Sequence, residues 1–286
     1  MALTFDSVPR EDWFTGGHGA CPGCGGTIAL RQTMKILGPR TVVVIPASCM
    51  ATVGGSDLTT AWRVPFFHSL FECAPAIASG IRAALDLRGE EGVTVLSWAG
   101  DAGTADIGFQ SLTGAAERNE DILHICYDNE TYMNTGGQAG SLTPVLATTP
   151  DTPGGKPTSK KDMPAIMLAH GLPYVATASI GYPLDYMEKV KRAKEIKGFR
   201  YIHVLAPCPK GWGIPASKTV EMARLAVQSG LWPLFEVEQG EKKTFQPAER
   251  LPVRDYLRGQ ARFRQLSEKD ITTLQAFVDK TREEGH

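Results

Sequence analysis

Short apolar runs rich in β-branched residues alternate along the chain with longer stretches of helical periodicity. The runs at 41–46 (TVVVIP), 93–98 (VTVLSW), 122–127 (ILHICY), 173–178 (PYVATA), 200–205 (RYIHVL) and 233–238 (PLFEVE) predict strands. Between and after them, 25–37, 70–87, 107–119, 184–196, 217–229 and 268–284 predict helices. Strands covered on both faces by helices present continuous apolar runs rather than alternating ones, as these do. The pattern therefore predicts an α/β fold, a mostly parallel sheet with helices on both faces. No internal repeat or low-complexity tract interrupts it. Residues 139–161 (AGSLTPVLATTPDTPGGKPTSKK) are small, polar and rich in Pro and Gly, with no period. Loops of that length in compact domains are functional or disordered. After Gln239 the pattern loosens, so a domain of residues 1–238 is followed by a C-terminal extension, 239–286, ending in an amphipathic helix.

Composition narrows the function. Of 286 residues 42% are hydrophobic, which fits a packed protein and excludes a collagen repeat, a coiled coil or wholesale disorder. Lys plus Arg number 30 against 31 Asp plus Glu, so no basic surface suited to nucleic acid is expected. No apolar stretch approaches the ~18 residues of a membrane span. The first residues, MALTFDSVPREDW, lack the basic start and apolar stretch of a signal peptide, so a cytoplasmic location is expected.

In a reducing compartment paired cysteines more often mean metal or redox chemistry than disulfides. Cys73 and Cys126 sit in the apolar runs FECAPAIA and ILHICYD, where a thiol behaves as a small buried hydrophobe. The other four stand in loops among Gly and Pro. Cys21 and Cys24 form a CxxC unit, Cys49 lies 25 residues further on, and Cys208 another 159. Spacing alone leaves three readings open: a [4Fe–4S] cluster, which takes one thiolate per iron, a zinc site, or a redox dithiol.

The run VTVLSW leads directly into Gly100-Asp101-Ala102-Gly103-Thr104 and then a helix. A strand, a Gly-rich turn and a helix N-terminus together suit a phosphate, and an Asp in the turn can hold Mg²⁺ against it. Tight βα turns of this composition are also common with no ligand. Twenty-eight residues after Asp101, the next run ends in Asp128-Asn129-Glu130-Thr131, with Asn134, Thr135 and Gly136 following. Two neighbouring strand ends can then share one hard cation, Asn129 giving a side-chain oxygen and Thr131 a backbone carbonyl.

That pair of motifs resembles the diphosphate-binding motif of thiamine-diphosphate enzymes. The resemblance extends to GHGACPGCG, the lone Cys49, HSLFE, GDAGTADIGFQSLTGAAERNED, CYDNETYMNTGGQ, KKDMPAIMLAHGLPYVATAS, HVLAPCPKGW and GLWPLFEVE. Together these look like the β subunit of pyruvate:ferredoxin oxidoreductase, in order and over nearly the whole chain. Two positions depart from that family: Ala102 stands where its turn has Gly, and Cys73 where its HxxFEN stretch has Asn.

The resemblance implies the thiamine-diphosphate-binding fold and CoA-dependent oxidative decarboxylation of a 2-oxoacid. It implies that Asp101, Asn129 and Thr131 hold Mg²⁺, that Gly100, Ala102 and Gly103 frame the diphosphate of thiamine diphosphate, and that Thr135 and Gly136 border the cofactor. Asn134 would reach the reacting centre; a turn-stabilising role is the alternative. Cys21, Cys24, Cys49 and Cys208 coincide with the family's [4Fe–4S] ligands. Of the histidines, His18 and His68 could face the cofactor, whereas His124, His170 and His203 read as core or surface residues and His286 as terminal. The cofactor-activating glutamate is expected on a separate α subunit, with further clusters on a ferredoxin-like subunit and an external ferredoxin or other acceptor. Pyruvate is the default substrate, ahead of aryl-glyoxylate or branched-chain 2-oxoacids. A non-redox thiamine decarboxylase would not need the cysteines, and a zinc scaffold would not need the Asp101/Asn129 pair. Residues 139–161 and the extension, with Tyr256, Leu257 and Phe263 as apolar anchors, are expected to be ordered by partner subunits or by packing on their own domain.

Overall fold

In a computed structural model, which describes residues 3–55 and 59–283, six strands coincide with the predicted runs to within two residues at either end. They are β1 (Thr41–Pro46), β3 (Thr94–Gly100), β4 (Leu123–Asp128), β5 (Tyr174–Ser179), β6 (Arg200–Leu205) and β7 (Leu234–Glu238). Two more strands, β2 (Phe66–Ser69) and β8 (Glu241–Phe245), close the edges of one eight-stranded sheet in the order β2-β1-β3-β4-β6-β5-β7-β8. From β2 to β5 every pairing is parallel, and β7 and β8 run antiparallel. Both added strands are largely exposed edges, so neither carries a buried apolar run. Lys242 and Lys243 on β8 discourage further strand pairing. The sheet thus continues past residue 238 into the extension.

Helices α1 (Gly25–Leu37), α2 (Cys49–Val53), α3 (Ala74–Leu87), α4 (Asp101–Ala105), α5 (Phe109–Glu117) and α6 (Met163–Ala169) precede β5. Helices α7 (Pro183–Glu195), α8 (Pro209–Trp212), α9 (Thr219–Gln228), α10 (Val253–Leu257) and α11 (Glu268–Glu283) follow it. The helix predicted from residue 70 starts instead at Ala74, because Pro75 fits only a first turn and residues 66–69 are drawn into the sheet. Glu284 and His286 lie outside the described residues.

Successive strand residues point to opposite faces. Val43, Ile45, Leu96 and Trp98 therefore pack with Leu30 and Met34 of α1 and Tyr186 of α7. Val44 and Val95 pack with Leu112 of α5 and Met167 of α6 on the other face. Each such fully buried large side chain contributes about 1.5–3 kcal/mol. A third cluster joins Trp212, Met222 and Trp232 to Tyr256, Leu257 and Phe263, so the expected anchors of the extension are buried against their own domain. Among the described residues no helix is long and apolar enough to cross a membrane.

Residues 139–161 also pack on the domain. Lys156 is buried and donates to the carbonyls of Ser141 (3.3 Å), Thr143 (2.7 Å) and Ser159 (3.3 Å), which fastens the loop on itself.

Candidate cofactor and cluster site

The sheet order fixes where a ligand belongs. β1 and β3 are neighbours in space but not in sequence, with β2 outside one and β4 outside the other. Connections leaving two adjacent strands in opposite directions open a crevice at their carboxyl ends. A cavity of about 110 Å³ lies there, lined by Ser48 and Cys49 after β1, Gly100–Gly103 after β3, and Asn129, Thr131, Asn134 and Thr135 after β4. The parallel pairing Gly100↔Tyr127 brings the two loops expected to share a cation side by side. Gly136 lies just outside the lining.

Asp101 opens α4 and is 4% exposed. Burial, and then the nearby Asp128 carboxylate, push its carboxyl well above the usual carboxylate range. Among the described residues no ion pair involves Asp101. Such a buried carboxylate asks for a cation, and the donors beside it fit Mg²⁺: one carboxylate, the Asn129 amide oxygen and the Thr131 carbonyl, all hard oxygens. Asn129 Oδ1 accepts from the Thr131 N–H at 3.1 Å, which turns the loop and leaves that oxygen a further lone pair. Ala102, where the resembled family has Gly, is also buried in the lining.

Asn134 is exposed within the lining, and among the described residues its side chain takes part in no hydrogen bond. The turn is held by Thr135, whose Oγ1 donates to the Tyr132 carbonyl (3.1 Å) and Gln138 Oε1 (2.6 Å), so the turn-stabilising role belongs to Thr135 rather than Asn134.

The four loop thiols gather beside this cavity. Burial, and then the thiols of Cys208, Cys24 and Cys21, push Cys49 up to about 11, and Asp101 adds to the shift. Cys208 is likewise raised by burial, with Cys24 and Cys21 contributing. The loops are pinned together where Gly25 N–H donates to the Pro207 carbonyl at 3.2 Å. Among the described residues no three His, Cys, Asp or Glu side chains close on a single metal ion. Cys126 is fully buried as expected, but Cys73 is only half-buried, since it stands at the N-cap position of α3 and not inside the helix predicted from residue 70. Neither His18 nor His68 lines the cavity: His18 stacks on Phe14, and His68 is exposed on edge strand β2. His124 and His203 are core residues.

Several residues of the site escaped sequence reasoning because their roles depend on distant partners. Tyr127 stacks on Trp98 beneath the cavity, and a methyl group on Gly100 or Gly26 would approach its ring to 3.2 Å. Lys160 sets its Nζ 2.7 Å from both Asp128 and Glu130. His203 Nε2 is 2.9 Å from Asp128. Burial works against the Asp128 carboxylate, but Lys160 and His203 outweigh it and hold its pKa low.

The family model for the thiamine pyrophosphate enzyme C-terminal TPP-binding domain matches residues 47–204, the segment that carries these loops. This defines the class: a TPP-binding domain of a thiamine-diphosphate-dependent enzyme. The chain is 48% identical over 283 residues to pyruvate synthase subunit PorB of Methanothermobacter thermautotrophicus, covering 97% of this chain and 98% of that protein. It is 46% identical to ketoisovalerate oxidoreductase subunit VorB of Pyrococcus abyssi, covering 95% and 92%. A solved 2-oxoglutarate:ferredoxin oxidoreductase from Magnetococcus marinus superposes with a TM-score of 0.62 over 96% of this chain and 99% of that one; at 22% identity this shows a shared fold. The chain belongs to the family of 2-oxoacid:ferredoxin oxidoreductase β subunits.

Proposed function

We propose that this chain holds thiamine diphosphate through Mg²⁺ bound by Asp101, Asn129 and the Thr131 carbonyl, beside a [4Fe–4S] cluster on Cys21, Cys24, Cys49 and Cys208. The observation that carries the reading is the buried, unpaired carboxylate of Asp101, set next to Asn129 and within electrostatic reach of Cys49. When bound, thiamine diphosphate supplies the electron sink for loss of the 2-oxoacid carboxylate. The chain's own residues bind and orient. Gly100, Ala102 and Gly103 present backbone around the diphosphate; Asn134 offers an uncommitted amide to a substrate oxygen or the cofactor amine; Thr135 and Gly136 shape that rim. The four thiolates, one per iron, hold the electron acceptor one loop away.

The reaction is CoA-dependent oxidative decarboxylation of a 2-oxoacid in the cytoplasm, carried out by a complex. An α subunit supplies the activating glutamate, a ferredoxin-like subunit carries further clusters, and an external ferredoxin or similar acceptor takes the electrons. Residues 1–238 form the cofactor-binding part and 239–286 an extension packed on it. Pyruvate is the substrate favoured by the 48% identical relative named pyruvate synthase. A branched-chain 2-oxoacid is the second reading, favoured by the 46% identical relative named ketoisovalerate oxidoreductase. A screen of pyruvate, branched-chain, aromatic and dicarboxylic 2-oxoacids, with CoA and a low-potential dye, on the anaerobically purified complex tests both. Reduction with pyruvate above all others is the expected result. No reduction with any 2-oxoacid overturns the function.

A further inference from the structure

We propose that Arg262, on the C-terminal extension, is a positioning residue that holds the Mg²⁺-binding loop and the Cys208 loop in fixed relation. This rests on the reading of Asn129 and Thr131 as Mg²⁺ ligands. Between those two stands Glu130, buried and in the left-handed backbone region at φ +63°, where a residue other than Gly is strained. Such a conformation persists only when its surroundings enforce it. Its backbone is held by the Glu130 N–H donating to Asp128 Oδ1 and by Thr143 Oγ1 donating to the Glu130 carbonyl, both at 2.8 Å. Two cations fix its side chain: Lys160 Nζ at 2.7 Å from Oε1 and Arg262 Nη2 at 2.7 Å from Oε2. Lys160 is shared with Asp128, so Arg262 is the cation committed to Glu130 alone.

The same guanidinium sits over the Trp212 ring, its Cζ 3.7 Å from the ring centroid. Trp212 donates its indole N–H to the Asn129 carbonyl at 2.8 Å, and its backbone N–H bonds the Cys208 carbonyl at 2.8 Å. One side chain thus grips the Mg²⁺-binding loop twice, directly through Glu130 and through Trp212 at Asn129, and reaches the cysteine loop through the same ring. Arg262 is itself fixed. Its carbonyl accepts from Thr148 N–H and Oγ1 (2.9 and 3.1 Å), its Nε donates to Gln260 Oε1 (2.9 Å), and its Nη2 donates to the Tyr256 hydroxyl (3.2 Å). The two loops also touch. A methyl group on Gly211 would stand 2.8 Å from Thr131 Cγ2 and 3.5 Å from Cys208 Sγ, so the two loops are close-packed there. Lys cannot replace every function, because an ammonium keeps the charge opposite Glu130 but not the fork that also donates to Gln260 and Tyr256 while covering the indole.

The test uses the purified complex, stripped of cofactor, in wild-type, Arg262→Ala, Arg262→Lys and Trp212→Phe forms. Calorimetry gives thiamine diphosphate affinity as a function of Mg²⁺, alongside iron content and thermal stability. Groups that orient metal ligands cost about 10–100-fold in metal affinity when removed. Arg262→Ala is expected to lose affinity on that scale and to need more Mg²⁺ for half-saturation, Arg262→Lys to recover part of both, and Trp212→Phe to fall between Lys and wild type. Iron content is expected to stay at the wild-type level. Variants that melt earlier but keep wild-type affinity and Mg²⁺ requirement overturn the proposal. If Arg262→Ala does not assemble, Arg262→Lys and Trp212→Phe decide by the same criterion. A wild-type complex that binds thiamine diphosphate without Mg²⁺, or not at all, overturns the Mg²⁺ reading itself, a result separate from equal binding by wild type and variants.

Discussion

The backbone N–H of Gly25 donates to the carbonyl of Pro207 at 3.2 Å, and a methyl group on Gly25 would stand 2.6 Å from that same oxygen and 2.5 Å from the Ala206 carbonyl carbon. The residue after Cys24 and the residue before Cys208 are therefore in contact, backbone to backbone, and only Gly permits it. Gly25→Ala must push the two cysteine loops apart, with an overpacking cost of about 1–3 kcal/mol. We predict that the variant complex loses iron while its thiamine diphosphate affinity stays near wild type. Iron retained at full stoichiometry would show that the loops need not meet this closely.

The six cysteines should divide four to two. Replacing Cys21, Cys24, Cys49 or Cys208 by Ser is predicted to lower iron content and acceptor reduction together. Cys73→Ser should change neither, because a half-buried helix-start position tolerates a hydroxyl. Cys126 is fully buried in the sheet, so its Ser variant should melt earlier, by the equivalent of about 1–3 kcal/mol, with iron in place. A Cys208→Ser complex with full iron and activity contradicts the ligand assignment.

Asp101→Asn should act in opposite directions on the stripped and loaded forms. Without a cation the Asp101 carboxylate is buried near that of Asp128, so an uncharged isostere relieves repulsion and should stabilise the cofactor-free complex by about 0.5–2 kcal/mol. With thiamine diphosphate and Mg²⁺ present, loss of the metal-binding charge should nearly abolish cofactor retention. Melting curves with and without cofactor read both effects. A variant that binds cofactor like wild type removes Asp101 from the metal site.

His124 is fully buried, 2.9 Å from Ser97 Oγ and 3.1 Å from Thr104 Oγ1, at the base of the helix that carries Asp101. Burial, and then nearby His203, push its pKa down to about 3. An unfolded His titrates near ~6.5, so below that pH the unfolded chain binds a proton that the folded chain refuses. Its contribution to stability is full above ~6.5 and falls by about 1.4 kcal/mol per pH unit as pH drops toward 3. Thermal unfolding of the complex between about pH 7 and 5 should show that slope reduced in His124→Gln; an unchanged slope assigns the acid sensitivity elsewhere.

Local chemistry explains how much of this was legible beforehand. The predicted helix 25–37 and strand 41–46 match α1 and β1 residue for residue, since α1 buries one apolar face and β1 is a continuous, almost wholly buried apolar run. The turn at Gly100–Gly103 and the loop from Asn129 stood out because Gly, Asp and Asn at adjacent strand ends are the residue types that a phosphate and Mg²⁺ would require. Strand β2 was missed because Phe66, Phe67 and His68 on an exposed edge carry no burial signal. Strand β8 was missed because all five of its residues are exposed. Arg262 and Lys160 could not be found from spacing: each matters through a carboxylate that only the folded chain brings near. The aperiodic segment 139–161 showed no element because its order comes from Lys156 meeting carbonyls and not from a hydrophobic period.

The last prediction concerns assembly. Under the proposed reading, the carboxylate that activates the cofactor comes from a separate α subunit. Beside the cavity's Phe71, the edge strand β2 and the turn after it expose Phe66, Phe67 and Leu70, the last at 69%. Apolar residues grouped next to a site mark a place where another surface packs. The eight-stranded sheet and its helices make up one domain of this fold. We predict that the chain expressed alone does not oxidise a 2-oxoacid, and that co-expression with the α and ferredoxin-like subunits restores turnover in a heteromeric particle. Size-exclusion with light scattering, coupled to dye reduction, reads both mass and activity. An isolated monomer near 30.9 kDa that reduces the dye unaided with pyruvate and CoA would overturn the subunit assignment.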